Sequence, residues 1–445
     1  MLNAVMDTIM AGKLQPEDLA SVGLGASIYI SVNVGLMGVL MALMPEISRH
    51  HGAKRSDLIG HDLRQGMLLA VALCLPGILL LQAEGLWQSF GDPGPEVSAR
   101  LSDYLFWIAL ALPANLLIRC SYSLNMGIER PKVMMLINLI GLGAKLPLNL
   151  VLMFGFKLGP GLEWGGLGAP GCAAATALVA WLSLLLHLGV LHYGKNYRAM
   201  NLLKGSWRPD GSRLRELLAL GLPIAGGYLL EVTSFTFMAL WLARMGPNVS
   251  ASHQIAANFT TLIYMLGLSI ATATSNLTAR ELGAGRFEEA HAFAKAGLKL
   301  SAWCAALVGG LVLLGNEYIA AAYSDNPVIA NAAAPLLLLV AIYHFFDVGQ
   351  TVSSFVLRAY RIVQPTVWIF FVCLWGIGLG LGFLLSYGQL ATHHFGEATF
   401  GLTMPLARYL QTTPFGFWTG SLVGVICAHS ALFILLQRVM KRPHQ

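Results

Sequence analysis

Leu229-Leu-Glu-Val-Thr-Ser-Phe-Thr-Phe-Met-Ala-Leu240 places a carboxylate, Glu231, inside an apolar run that extends from about Leu214 to Ala243. That run is long enough to cross a hydrocarbon core of roughly 30 Å. A charge at the centre of a membrane helix costs roughly 2.5–3.5 kcal/mol by insertion scales. Such a side chain faces a protein interior or a wet cavity and has a partner there. Its surroundings therefore decide both fold and function.

The whole chain resembles this segment in composition. Hydrophobic residues make up 56% of 445 positions and charged residues 11%, with a mean hydropathy of +0.65. A soluble domain carries about twice that charge. Apolar stretches recur along the full length, so the chain reads as an all-α polytopic membrane protein; the absence of strand-type alternation argues against an outer-membrane barrel. Cys74, Cys120, Cys172, Cys304, Cys373 and Cys427 all lie in apolar segments without a CxxC pair and read as packing residues. Gly283-Ala-Gly285 lacks the Lys-Ser/Thr of a phosphate loop. His393 and His394 are adjacent and have no obvious third ligand. With no zinc-protease motif or nucleophile elbow, no catalytic residue, enzymatic activity, cofactor or nucleic-acid partner is expected.

The first apolar piece, Met1 to Ala11, is too short to span a bilayer, so the first helix is expected to be clipped, re-entrant or truncated upstream, a truncation or late start codon being the favoured reading. Further spans fall at about 19–44, 65–90, 98–127, 133–155 and 168–193, and after a basic linker at about 214–243, 250–279, 294–323, 328–357, 363–387 and 413–437. With the partial first helix there are twelve. Alternating the loops between two sides gathers most of the 28 Lys and Arg on one side, including Arg49, Arg64, Arg213, Arg280 and Arg358. The other side holds only Lys13, Arg100, Lys157, Arg244 and Arg408. By the positive-inside rule the rich side, and with it both termini, is cytoplasmic.

An internal repeat divides the chain. At a constant offset, Arg49, Gly52, Ala53 and Arg55 match Arg280, Gly283, Ala284 and Arg286, within a longer gap-free register of span, turn and span. Pro131 and Pro365 occupy corresponding loops. Six spans separate the copies, so they share one membrane orientation and form a parallel repeat. The expected domains are an N-terminal six-helix lobe with its basic linker, 1–205, and a C-terminal six-helix lobe, 206–445.

Asp7, Arg119, Lys145, Glu231 and Asp347 are ionisable residues at membrane depth. Tyr343 lies one turn from Asp347 on the same helix face. Two carboxylates and a phenol in one bundle suit a cation, through oxygen ligands and negative charge, or a shared proton, because adjacent negative charges repel; separate structural hydrogen bonds are the plain alternative. In the first half, Lys145 and Asn149 share a face around Pro147, and a Lys145–Asp7 ion pair would hide both charges. Arg119 lies nearer a helix end and reads as a snorkelling or capping residue. Gln254, Asn258, Asn33, Asn138, Thr233 and Gln350 either join helices or line a path. Phe235, Phe237 and Tyr264 are ordinary packing residues or a tolerant surface for a lipophilic ligand.

Met6-Asp7-Thr-Ile-Met-Ala-Gly12, Glu231-Val-Thr-Ser-Phe235, Ala251-Ser-His-Gln-Ile-Ala-Ala-Asn258 and the Asp347 segment together resemble the multidrug and toxic compound extrusion (MATE) family, in its bacterial NorM-like branch. The resemblance covers nearly the whole chain. It implies two six-helix lobes forming a V in a bacterial inner membrane. The implied activity is secondary active export of lipophilic organic cations, as multidrug efflux, in exchange for Na⁺ or H⁺. It also implies a monomer whose partners are cationic small molecules, a monovalent cation and membrane lipid. By the resemblance, Glu231 and Asp347, with Tyr343, form the coupling-cation site of the second lobe. Asp7 is the acidic residue of the first, with Asn149 as a polar partner. Lys145 departs from the family pattern, where a neutral polar residue is expected. An ammonium beside Asp7 takes the place of a bound cation and leaves the second lobe with the unpaired acidic site.

Two rivals share this architecture. A flippase for a lipid-linked precursor would prefer a basic cavity, whereas the deep pair here is acidic. A major-facilitator carrier usually has a Gly-x-x-x-Asp-Arg-x-Gly-Arg-type loop after its second span; here that loop is Pro45-Glu-Ile-Ser-Arg-His-His-Gly52.

Overall fold

Proline opens most of the long helices, at the first-turn positions where a missing N–H costs nothing. The computed structural model describes residues 2–88, 94–157, 163–198, 200, 202–387, 410 and 413–441; His393 and His394 lie outside them. In chain order the main helices are α1 (Leu2–Ala11), α2 (Pro16–Leu40), α3 (Leu43–Gly52), α4 (Ser56–Leu81), α5 (Pro95–Gly127), α6 (Pro131–Phe154) and α7 (Pro170–Tyr193). They continue with α8 (Gly211–Ala243), α9 (Pro247–Gly283), α10 (Phe287–Tyr323), α11 (Pro327–Ala359), α12 (Gln364–Ser386) and α13 (Phe415–Lys441). Phe371–Leu379 within α12 is π-helical. A small hairpin pairs Phe156 with Trp164. Among the described residues, eleven helical stretches are long and apolar enough to span a membrane, α2 and α3 counting as one; α1 is the short twelfth. The protein is a multi-pass, all-helical membrane protein.

The chain forms two compact units, Met1–Ala225 and Gly226–Gln445. The division falls inside α8, beyond the basic linker. In the first unit α5 is central, packing against α2, α3, α4 and α7. In the second, α11 packs against α9, α10 and α13.

The repeat extends to backbone hydrogen bonds. In one copy Ala53 N–H bonds Arg49 O at 2.9 Å and Arg55 N–H bonds His50 O at 2.9 Å; in the other Ala284 N–H bonds Arg280 O at 3.0 Å and Arg286 N–H bonds Glu281 O at 2.9 Å. Both turns need a left-handed residue to end the helix, Lys54 at φ 58° in the first and Gly285 at φ 75° in the second. The central helices end alike, on Glu129 at φ 62° and Arg361 at φ 61°. The copies differ where α9 is continuous but its counterpart breaks into α2 and α3. Pro45 has no N–H for the Met41 carbonyl, whereas Asn276 holds the matching position in α9.

Several basic residues assigned by hydropathy to loops are structural. Arg64 donates to the carbonyls of Leu202 and Lys204, both at 2.9 Å, and so fixes the linker. Arg213 binds Asp62 Oδ2 at 2.7 Å and Glu46 Oε2 at 2.8 Å, and also pairs with Glu216. His50 approaches Asp62 at 3.2 Å. Glu46, His50 and Asp62 converge as metal ligands would, but the guanidinium already occupies both carboxylates. Arg358, expected in a loop, lies in the last turn of α11 and is 9% exposed.

Candidate functional site

The second unit contains a cavity of about 430 Å³. On α8 the residues Tyr228, Glu231, Val232, Phe235, Thr236 and Ala239 line it, spaced by three or four so that they share one face. On α9 His253, Gln254, Ala257, Asn258, Thr260, Thr261 and Tyr264 do the same, and α11 adds Asp347. The structure therefore brings Glu231, Asp347, Gln254, Asn258, Phe235 and Tyr264 together around one space. Among the described residues the lining holds two carboxylates and no Lys or Arg.

Asp347 is 3% exposed, and Gln350 Nε2 donates to its Oδ1 at 3.0 Å. Glu231 is half-buried. The Tyr264 hydroxyl is within hydrogen-bonding reach of Glu231 and of Thr351. Thr236, Thr260 and Thr261 donate to the carbonyls of Val232, Ala256 and Ala257, at 3.1, 2.8 and 2.8 Å. Each threonine thus spends its proton on its own helix and keeps lone pairs for the cavity. Such a surface accepts hydrogen bonds and attracts positive charge.

Tyr343 is buried on α11, with Asp347 and Glu231 within electrostatic range of its phenol; it is not among the residues lining this cavity, and it packs edge-on against Phe235 at 6.1 Å and Trp418 at 6.0 Å. Phe237 likewise packs away, 5.2 Å from Trp375. Nor is Glu231 free of basic influence. Arg358 lies against the Tyr228 ring at 4.9 Å and the Phe355 ring at 4.0 Å, and its Nη1 donates to the Tyr228 hydroxyl at 3.2 Å. Its charge acts on Glu231. The sequence signal was present, since Arg358 follows an unbroken apolar helix, but hydropathy alone set that helix's end too early.

In the first unit the expected ion pair is formed. Lys145 Nζ is 3.2 Å from Asp7 Oδ1, with Lys145 1% and Asp7 14% exposed at the side chain. The ammonium also donates to the Cys172 carbonyl at 2.9 Å and to the Thr176 hydroxyl. Asn149 Nδ2 donates to Asp7 Oδ1 at 2.6 Å. Arg119 lies over the Tyr122 ring at 4.6 Å.

Comparison with known proteins gives this arrangement a family. The chain is 36% identical over 441 residues to a probable multidrug resistance protein NorM of Aromatoleum aromaticum, covering 99% of this chain and 90% of that one. It is 31% identical over 443 residues to the multidrug resistance protein MdtK of Pectobacterium atrosepticum, covering 99% and 92%. Its fold matches the crystal structure of the eukaryotic MATE transporter AtDTX14 with a TM-score of 0.82 at 19% identity, covering 99% of this chain and 92% of that chain. It also matches an outward-facing multidrug resistance MATE family transporter with a TM-score of 0.81 at 17% identity, covering 99% and 91%. The sequence model of MatE matches residues 2–151 and 223–384, taking in Asp7, Lys145, Glu231 and Asp347. The chain belongs to the MatE family, in the NorM-like branch to which its motifs point.

Proposed function

We propose that this protein is a secondary active multidrug efflux transporter that exports lipophilic organic cations in exchange for Na⁺ or H⁺. The observation that carries this reading is the pairing of Glu231 and Asp347 on one cavity whose other walls are aromatic, aliphatic and hydrogen-bond accepting. A lipophilic cation gains apolar contact from Phe235, Val232 and Ala257 and charge attraction from the two carboxylates. A small cation or proton neutralises the same carboxylates and weakens their hold on the drug. Exchange follows when the two ligands differ in affinity between the two facing states. Each elementary charge moving inward gains roughly 2.3 kcal/mol per 100 mV of membrane potential, enough to drive a useful concentration ratio.

The names of the NorM and MdtK relatives support drug export. The lopsided distribution of Lys and Arg supports cytoplasmic termini, and the bacterial NorM and MdtK relatives support a bacterial inner membrane. The acidic lining disfavours a lipid-linked phosphate. The test is efflux of a fluorescent organic cation from vesicles with Na⁺ and pH gradients imposed separately. Glu231→Gln and Asp347→Asn are each expected to slow gradient-driven efflux by about tenfold or more. Full activity of both variants would sink this reading.

A further inference from the structure

We propose that the first unit holds the headgroup of one anionic glycerophospholipid in the cavity where α7 meets the basic linker, with an acyl chain laid along α7. This goes beyond the proposed export and does not depend on it. It also differs from general solvation by the bilayer, because one lipid is held at one place.

The outer face of α7 leads to the cavity. Leu178, Trp181, Leu182 and Leu185 are exposed, and their spacing by three or four puts them on one face. At the same spacing follow Gly189 and then His192 and Tyr193, both exposed. A Cβ on Gly189 would meet nothing within 4 Å, so its missing side chain leaves open space in the stripe. Exposed apolar side chains on a spanning helix match acyl chains, and a tyrosine at the helix end marks the headgroup level.

At that level lies a cavity of about 350 Å³. Leu191, Tyr197 and Leu202 form its buried side, and His192, Tyr193 and Lys204 its exposed side. Its walls are fixed from behind: Arg64 holds the carbonyls of Leu202 and Lys204, and the Tyr197 hydroxyl donates to Asn125 Oδ1. Lys204 brings positive charge, and the Arg130 guanidinium lies 5.6 Å from the centre of the Tyr197 ring. Unlike Arg213, neither has a carboxylate partner among the described residues, and none of the described lining residues is Asp or Glu. A phosphodiester is anionic and accepts hydrogen bonds from an ammonium, an imidazole N–H and a phenol. A free phosphate would gain nothing from the apolar stripe, so the match is to a lipid.

The experiment measures lipid binding to detergent-purified protein by native mass spectrometry, with dioleoyl phosphatidylglycerol and dioleoyl phosphatidylcholine as separate probes. One phosphatidylglycerol is expected to bind about tenfold more tightly than phosphatidylcholine, which carries its own cation beside the phosphate. Lys204→Glu is expected to abolish that preference. Lys295→Glu, at an exposed lysine of α10 in the second unit, is expected to keep it. A preference that survives Lys204→Glu overturns the inference, and so does equal loss in both variants, which general surface charge would explain. Displacement of phosphatidylglycerol by glycerol 1-phosphate would make this a small-anion site and overturn the lipid. Should Lys204→Glu fail to fold, Lys204→Gln is read in its place, with the same outcomes. Because binding is read without transport, a negative result here leaves export through the second unit standing, and loss of that export leaves this result standing.

Discussion

Arg358 Nη1 donates to the Tyr228 hydroxyl at 3.2 Å, three residues from Glu231 on the same face of α8. The guanidinium is nearly buried and stacked between two rings, so its charge stays close to the acidic cavity rather than dissipating in water. On the proposed exchange, it would compete with an incoming cation for Glu231. Arg358→Gln is therefore expected to lower the half-saturating concentration of the coupling cation by about tenfold, equivalent to roughly 1.4 kcal/mol. Arg358→Lys, which keeps the charge, is expected to shift it less. The measurement is cation dependence of drug efflux; a rise in that concentration for Arg358→Gln contradicts the competition.

Arg213 satisfies two buried carboxylates at once. Glu46 is 0% and Asp62 1% exposed, and removing one partner of a buried ion pair costs about 3–5 kcal/mol because the remaining charge is stranded. Arg213→Ala is expected to lower the melting temperature in detergent sharply. The triple variant Glu46→Gln/Asp62→Asn/Arg213→Met is expected to recover most of it. Equal melting of Arg213→Ala and unaltered protein would show that the cluster is energetically idle.

Just outside the membrane helices, Asp210 caps α8. Its Oδ1 accepts from Arg213 N–H at 3.2 Å and from Ser212 N–H at 3.0 Å, and His61 lies 3.3 Å from its Oδ2. The Arg213 backbone N–H chiefly, helped by Ser212 and His61 against slight desolvation, holds this carboxyl below its usual 3.8. A carboxyl depressed in the folded state stabilises fully above pH 3.8 and loses that contribution as pH falls below it. Asp210→Asn keeps an acceptor at the cap but not the charge, so its melting temperature is expected to fall less steeply on acidification below pH 3.8. Identical slopes for the two proteins overturn this assignment.

The approach of α12 to α13 depends on absent side chains. A Cβ on Gly420 would lie 2.4 Å from the Gly382 nitrogen and 2.6 Å from the Gly378 carbonyl oxygen, whereas one on Gly376 meets nothing nearer than 4.0 Å. Gly420→Val is expected to cost upwards of about 1–3 kcal/mol through overpacking and to reduce folded yield by size-exclusion chromatography. Gly376→Ala is expected to behave like the unaltered protein.

Much of this was legible along the chain. Glu231 and Asp347 announce themselves because charges in apolar runs are expensive, and prolines mark where helices begin. The Lys145–Asp7 pair follows from two opposite charges with nowhere else to go. Helix rotation is harder to read: Tyr343 shares a helix face with Asp347, yet its ring turns into the Phe235–Trp418 cluster. Partners distant in sequence are harder still. The expense of burying Glu46 and Asp62 implies a cation somewhere, but only packing selects Arg213. Arg358 was missed because a hydropathy window cannot tell a buried guanidinium stacked on aromatics from one dissolved in a loop.

The threonine protons, turned onto their own helices, have a consequence for selectivity. Thr236, Thr260 and Thr261 bring lone pairs but no hydrogens to the cavity, so a guest needing donors must rely on Gln254, Asn258, His253 and the tyrosine hydroxyls. A guest carrying its own N–H groups or diffuse positive charge finds acceptors on several sides. A zwitterion is divided against itself, its amine welcomed and its carboxylate stranded beside two others. On the proposed export, such a surface would tolerate guests of many shapes but few polarities, the direction of a few hydroxyl bonds reinforcing what Glu231 and Asp347 impose.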